Sequence, residues 1–242
     1  MTTDATSMTV SGLEVAIVRK PIKNLHLGVY PPDGRVRVAA PMAVSNDAVR
    51  VAVISRLRWI RQMQRGFEGQ LREPPRTMVS GESHYYRGRR YRLKVDTTDG
   101  RARVEVRGTQ ALVLYVRPGT TAADRAELLH TWYRERLRQA AGRLLARWEV
   151  TLGVQLGAWG IKRMKTKWGS CNPTAGRVWL NLELIKKPPA CLEYVVVHEL
   201  VHLLVPTHDD RFVRLMDRHL PTWRSRRDEL NATPLAKERW TG

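Results

Sequence analysis

The chain of 242 residues sets 42 Lys and Arg against 23 Asp and Glu, a formal net charge of +19 that favours anionic partners such as nucleic acid or, more simply, an arginine-rich solvated surface. Hydrophobic residues make up 43%, enough for a buried core, and two cysteines, Cys171 and Cys191, exclude a disulfide scaffold and fit free thiols in a reducing compartment. No uncharged apolar run of about 18 residues is present, and Met1 to Val10 lacks a secretory pattern; the expectation is a cytoplasmic protein that makes no membrane contact.

Leu13 to Val18, Leu25 to Val29 and Arg35 to Val38 read as strands, with Tyr30-Pro31-Pro32-Asp33-Gly34 as the turn before the third. Ser45 is an N-cap for a single helix from about Asn46 to Phe67, in which Val49, Val53, Leu57, Ile60, Met63 and Phe67 keep the helical period. Arg50, Arg58, Arg61 and Arg65 fall on its other faces and read as a solvated back. Gly66, Gly69 and Pro74-Pro75 mark a linker. Tyr85 to Leu93 predicts a hairpin turning at Gly88, where basic residues interleave with aromatics; that pattern can stack on bases, but aromatics are also ordinary strand residues. Arg101 to Arg107 and Leu112 to Val116 would complete a meander through turns at Asp99-Gly100 and Arg107-Gly108. No internal repeat is apparent. After Pro118-Gly119, Thr120 or Thr121 caps a long helix through Trp148.

Lys165-Thr166-Lys167-Trp168-Gly169-Ser170-Cys171-Asn172 reads as a compact loop. Arg177 to Leu184 alternates as a strand, with Val178, Leu180, Leu182 and Leu184 on one face and an edge that an extended peptide could join by strand addition. Pro188-Pro189 then open an apolar helical stretch running from Leu192 to Val205, which contains His198-Glu199-Leu200-Val201-His202. Residues four apart share a helix face, so His198 and His202 can offer imidazole nitrogens to one metal ion, with Glu199 placed to reach a water beside it. Two histidines and a glutamate in a buried helix are costly without a partner; the bland alternative is a pair of core histidines. Pro206 should end the helix and bring His208 back as third ligand, although Val205 stands where the metzincin pattern has glycine. Asp209, Asp210 and Asp217 are the carboxylate fallbacks. Such a site suits Zn²⁺ with an open position, lowering the pKa of water to about 7, with Glu199 as general base. Asn181, Lys165 and Arg211 are candidate oxyanion or substrate contacts. Cys171 is either a fourth metal ligand or a small buried residue, and no acyl-transfer motif surrounds Ser170. Asp209 or Asp210 also caps a helix carrying Phe212, Leu215 and Met216, and a last helix runs from Pro221 to Asn231 with Trp223 and Leu230 packing back.

Trp168-Gly169-Ser170-Cys171-Asn172, the strand from Arg177 to Leu184, and Glu193-Tyr194-Val195-Val196-Val197-His198-Glu199-Leu200-Val201-His202 followed by His208 and Phe212 together resemble the YgjP-like metallopeptidase family, a branch of the zincins. The strands around Asp33-Gly34, the helix with Trp59-Ile60 and the Gly88-Arg89-Arg90-Tyr91 hairpin extend the resemblance over most of the chain. It implies one zinc ion per chain on His198, His202 and His208, Glu199 as catalytic base, and a peptide or protein substrate. The chain is more distantly similar to SprT-like and WLM proteases, which act on protein attached to DNA. Members of the family have also been described as metal-dependent nucleoside triphosphate (UTP) pyrophosphatases, for which Lys165, Lys167 and Arg211 could hold a triphosphate. The chain has neither a glycine-rich phosphate loop nor a carboxylate cluster, which leans towards peptide hydrolysis; a basic DNA-associated protein with a structural zinc is the third reading. The expected fold is α+β: a β-rich region 1–118 with one helix near 45–67, a connecting helix 119–151, and a helical zincin-like catalytic region 152–242 with a short antiparallel sheet. The oligomeric state is left open.

Overall fold

The computed structural model describes residues 5–30, 33–68, 77–164 and 167–232. Pro31-Pro32, the expected linker residues Gly69 and Pro74-Pro75, and Lys165 lie outside the described residues. The fold is α+β, and the chain gathers into two compact units that divide between residues 73 and 74, so the second β region groups with the helices that follow it.

In the first unit β1 (Ala5–Val10), β2 (Leu13–Lys20), β3 (His26–Tyr30) and β4 (Arg35–Pro41) form a sheet in the order β1-β2-β4-β3. β2 and β4 are parallel, and the other pairs are antiparallel. Val36, Val38 and Ala40 of β4 alternate into a core shared with Val49, Val53 and Ile60. The expected single helix is two, α1 (Asn46–Ile54) and α2 (Leu57–Glu68). The break has a local cause. The Ser55 hydroxyl donates to the Ala52 carbonyl at 3.0 Å, and the Arg56 N–H reaches back only three residues, to Val53 at 3.1 Å. β1, paired among the described residues with β2 alone, has only Met8 and Val10 as an alternating apolar pair, too short a pattern to announce a strand.

The second unit opens with β5 (Ser83–Tyr86), β6 (Arg89–Thr97), β7 (Arg103–Arg107) and β8 (Ala111–Val116), in the order β5-β6-β8-β7. This is not the expected meander, because β8 inserts parallel to β6. Leu112 to Val116 are all buried, so β8 takes an inner place, while β7, with Arg103 and Arg107 exposed, goes to the edge. The order and directions repeat those of the first unit, and in each case a capped helix follows: Ser45 accepts the Ala48 N–H, and Thr121 the Asp124 N–H, both at 3.2 Å. The chain therefore contains a structural repeat that its residues do not advertise.

α3 (Ala122–Leu152) begins at a capping box between Thr121 and Asp124 and ends at Gly153, whose φ of 65° is the left-handed conformation that favours glycine. Leu129, Tyr133, Leu137, Ala141 and Leu145 bury one face of it. Replacing Thr121 with Ala should cost about 1 kcal/mol and lower the thermal midpoint by a few degrees, measurable by circular dichroism.

A third sheet holds the site. β9 (Ala158–Lys162), β10 (Gly169–Asn172) and β11 (Arg177–Asn181) lie in the order β10-β11-β9, with β11 antiparallel to β10 and parallel to β9, so the short sheet is mixed where an antiparallel one was expected. The expected strand 177–184 stops at Asn181. Its side chain accepts the Glu183 N–H at 3.2 Å and turns Leu182–Lys186 into a 3₁₀ turn, all buried, so the apolar alternation runs on past the strand. The expected loop 165–172 ends in strand β10, and β11 lies between two neighbours with no edge to offer.

α4 (Pro189–Val201) starts at the two prolines and is buried nearly all round. Glu193 is its link to the other helices: it pairs with Arg147 of α3, accepts from Trp148 Nε1 at 3.2 Å, and pairs with Arg226 of α6 (Trp223–Ala232) at 2.7 Å. Between them, α5 (Asp210–His219) buries Phe212 and Met216. Among the described residues, no helix is long and apolar enough to cross a membrane.

Candidate metal centre

His198 and His202 stand one turn apart at the end of α4, and the chain turns at Pro206 to bring His208 across from them. Their ligand nitrogens all lie within 4.8 Å of one another. Nε2 of His198 is 3.2 Å from Nε2 of His202 and 3.0 Å from Nε2 of His208. α4 itself tightens at this point: the N–H groups of Leu203 and Leu204 reach back three residues, to Leu200 at 3.0 Å and Val201 at 2.9 Å. Just past that turn the Val205 carbonyl lies 3.1 Å from His202 Nδ1. A carbonyl only accepts, so the proton of His202 sits on Nδ1 and the Nε2 lone pair faces the other two rings.

Electrostatics agree with neutral ligands. Burial, then the neighbouring His202 and His208, pushes His198 down to about 3. Burial also lowers His202, against the opposing effect of the Val205 carbonyl. His198 Nδ1 is buried and, among the described residues, has no hydrogen-bond partner. A proton resting there leaves its Nε2 bare as well. Three converging imidazole nitrogens, with the Nε2 of His202 bare, fit a divalent cation bound by nitrogen donors.

Glu199 is 6% exposed, and burial pushes its carboxyl up to about 8, with Lys167 acting weakly in the other direction. A cation on the adjacent rings is the charge that would let this buried group ionise. Gly169 of β10 makes room for it. A Cβ at Gly169 would stand 2.7 Å from Glu199 Cγ and 2.8 Å from Cδ.

The other expected site residues have different posts. Asn181 is fully buried and gives both amide hydrogens to the chain, to the carbonyls of Met164 and Lys167 at 2.8 Å each. It clamps the loop before β10, so no N–H is left for a substrate. Arg211 is exposed in the first turn of α5, and Lys165 falls outside the described residues. Asp209 caps α5, accepting from Arg211 N at 3.0 Å and Phe212 N at 3.1 Å. Asp217 accepts from Trp223 Nε1 at 2.7 Å and pairs with Arg224. Neither carboxylate belongs to the histidine group, which among the described residues consists of His198, His202 and His208. Cys171 stays outside it too; burial, then the Glu199 carboxylate, pushes its thiol up to about 11.

Three contributors escape sequence reasoning. The Phe212 ring lies 5.0, 4.8 and 4.7 Å from the rings of His198, His202 and His208 and forms a wall common to them. Tyr194 meets His198 edge-on at 5.7 Å and stacks on Trp223. Gly169 completes the set. Signals existed for Phe212, four residues beyond His208, and for Tyr194, one turn before His198, but both read equally well as core.

Converging imidazoles beside a buried carboxyl on one helix are the outline of a metal-dependent hydrolase. The family model for the YgjP-like metallopeptidase domain matches residues 23–233, and the chain belongs to that family. The family is one of hydrolases that work with a bound divalent metal. The crystal structure of the metallopeptidase zymogen of Pyrococcus abyssi abylysin is similar at 20% identity and a TM-score of 0.37, over 40% of this chain and 99% of that one. No curated protein matches the chain.

Proposed function

We propose that this protein is a zinc-dependent peptidase in which His198, His202 and His208 hold the metal and Glu199 is the general base. The observation that carries the reading is the convergence of three imidazole nitrogens at 3.0 and 3.2 Å, with the tautomer of His202 set by Val205. A zinc ion on three nitrogens would polarise the scissile carbonyl and bring a water's pKa to about 7. Glu199 takes the proton of that attacking water on its carboxylate and returns it to the leaving amine nitrogen. Phe212 fixes the planes of the three rings by packing, and the Val205 carbonyl holds the His202 proton away from the centre. β10 supports a peptide substrate: among the described residues it pairs only with β11, and its Gly169 lies against Glu199. Cys171 and Cys191, both free, support a cytoplasmic setting.

Elemental analysis of wild type should find about one zinc per chain, falling sharply in His208→Ala. The same preparation is assayed on casein and on UTP. Casein cleavage that is lost on chelation and regained with zinc supports the proposal. Turnover of UTP alone assigns the centre to nucleotides, and inertness on both with tight DNA binding makes the metal structural. Zinc undiminished in His208→Ala would remove that residue from the ligand set.

A further inference from the structure

Where α3 passes the start of α4, a groove of about 380 Å³ opens on the second unit. Its bed is apolar, from Leu144 of α3, Leu184 and Ile185 of the 3₁₀ turn, and Leu192 of α4. Its rim is cationic. Arg143 and Arg147 of α3, Lys187 and Arg87 stand there against one carboxylate, Glu193, which Arg147 and Arg226 already balance. Neither Arg87 nor Arg143 pairs with an acid among the described residues, and the Arg143 Nε–H donates to its own helix at Gln139.

Arg87 is held in place by the backbone around it. The tip of the β5–β6 hairpin hooks onto the 3₁₀ turn, Arg87 N–H donating to Ile185 at 2.8 Å and Gly88 N–H to Lys186 at 3.0 Å. Arg87 takes φ of 50°, a left-handed conformation that glycine or asparagine adopts at lower cost. Gly88 is pressed against Pro188 so closely that a Cβ would stand 2.9 Å from that ring. A charged side chain is thus carried at the groove's edge by a turn with little room to move.

The groove lies at the start of α4, and His198 and His202 lie at its far end. At about 1.5 Å per residue, His198 is roughly 13 Å along α4 from Pro189 in the groove lining. Lys187 sits 5.3 Å from the Trp168 ring, next to Gly169 and hence to Glu199. At about 3.6 residues per turn, nine residues also carry His198 half a turn round α4 from Pro189, so a substrate chain reaching it from the groove passes round the helix.

The geometry points to a docking site for the substrate polypeptide: a stretch alternating acidic and large apolar residues, its carboxylates on the arginine rim and its apolar side chains on the leucine bed. Delivery of a neighbouring bond to the histidine centre rests on the peptidase reading; binding in the groove does not. The test uses the full chain with Glu199→Gln, titrated with a dansyl-labelled peptide alternating Glu and Leu and with its Lys-Leu counterpart. The Glu-Leu peptide should bind, more weakly as salt is raised, and the Lys-Leu peptide should not. Arg87→Glu with Arg143→Glu should weaken binding roughly tenfold or more, while Arg143→Lys keeps most of it. Equal binding by the double variant, or by the Lys-Leu peptide, overturns the site; so does a DNA duplex that displaces the Glu-Leu peptide and is itself lost in the double variant. If the double variant does not fold, the peptide-charge and salt series on the parent protein decides. A wild type that binds the Glu-Leu peptide and hydrolyses none keeps the groove and removes the peptidase; equal cleavage of both peptides, unmoved by Arg87→Glu with Arg143→Glu, does the reverse.

Discussion

Glu199→Gln should abolish casein hydrolysis to within a residue of about one part in 10² to 10⁴ while leaving zinc bound. The substitution keeps the side chain's length and its seat against Gly169 but removes the atom that takes a proton. His198, His202 and His208 keep their contacts with Val205 and Phe212, which Glu199 does not share. An amide in place of a carboxyl that burial already holds towards its neutral form leaves the fold nearly as stable. Hydrolysis and metal content are read on one preparation. Activity near wild type would remove Glu199 as the base, and loss of zinc along with activity would make it a residue that supports the ligands.

Gly169→Ala should act on the same group from outside. The new Cβ would fall 2.7 Å from Glu199 Cγ, inside any real carbon contact, and Glu199 is buried on a helix packed on all sides, so its carboxylate must turn away. A displacement of about 1 Å at a reacting group costs on the order of 10² in rate. Overpacking also lowers stability by about 1–3 kcal/mol. A double-variant cycle with Glu199→Asp separates a steric cause from a general one. The shorter acid frees the space that the methyl needs, so Glu199→Asp should cost less activity in the Gly169→Ala background than in wild type. Strictly multiplicative losses would contradict the contact.

The histidines were legible because helix geometry turns a spacing of four into shared direction, and because burial makes an idle polar group on α4 expensive. Asp209 was legible as a cap for the same local reason. What failed depended on distant partners. Asn181 looks like an available amide until Met164 and Lys167 consume it. The alternation through Leu184 is a burial pattern, and a 3₁₀ turn buried on every side reproduces it. β8 reads as the last strand of a meander because nothing local says that a more apolar strand will displace its predecessor from the centre of the sheet. Gly169 carries its meaning only through a carboxylate 30 positions on.

The repeated sheet plan bears on how the chain reaches this state. Each four-stranded sheet is two hairpins, joined by one parallel seam: Val15 to Lys20 against Val36 to Pro41, and Arg92 to Thr97 against Ala111 to Val116. A hairpin closes over neighbouring residues in about 1–10 μs, and each seam then joins strands only about 20 positions apart. Both sheets can thus assemble from short loop closures, each within its own unit. The third sheet closes over similar distances, and the longer closure is left to α4, whose Glu193 meets Arg147 of α3 46 positions earlier and which carries His198 and His202 into place with it.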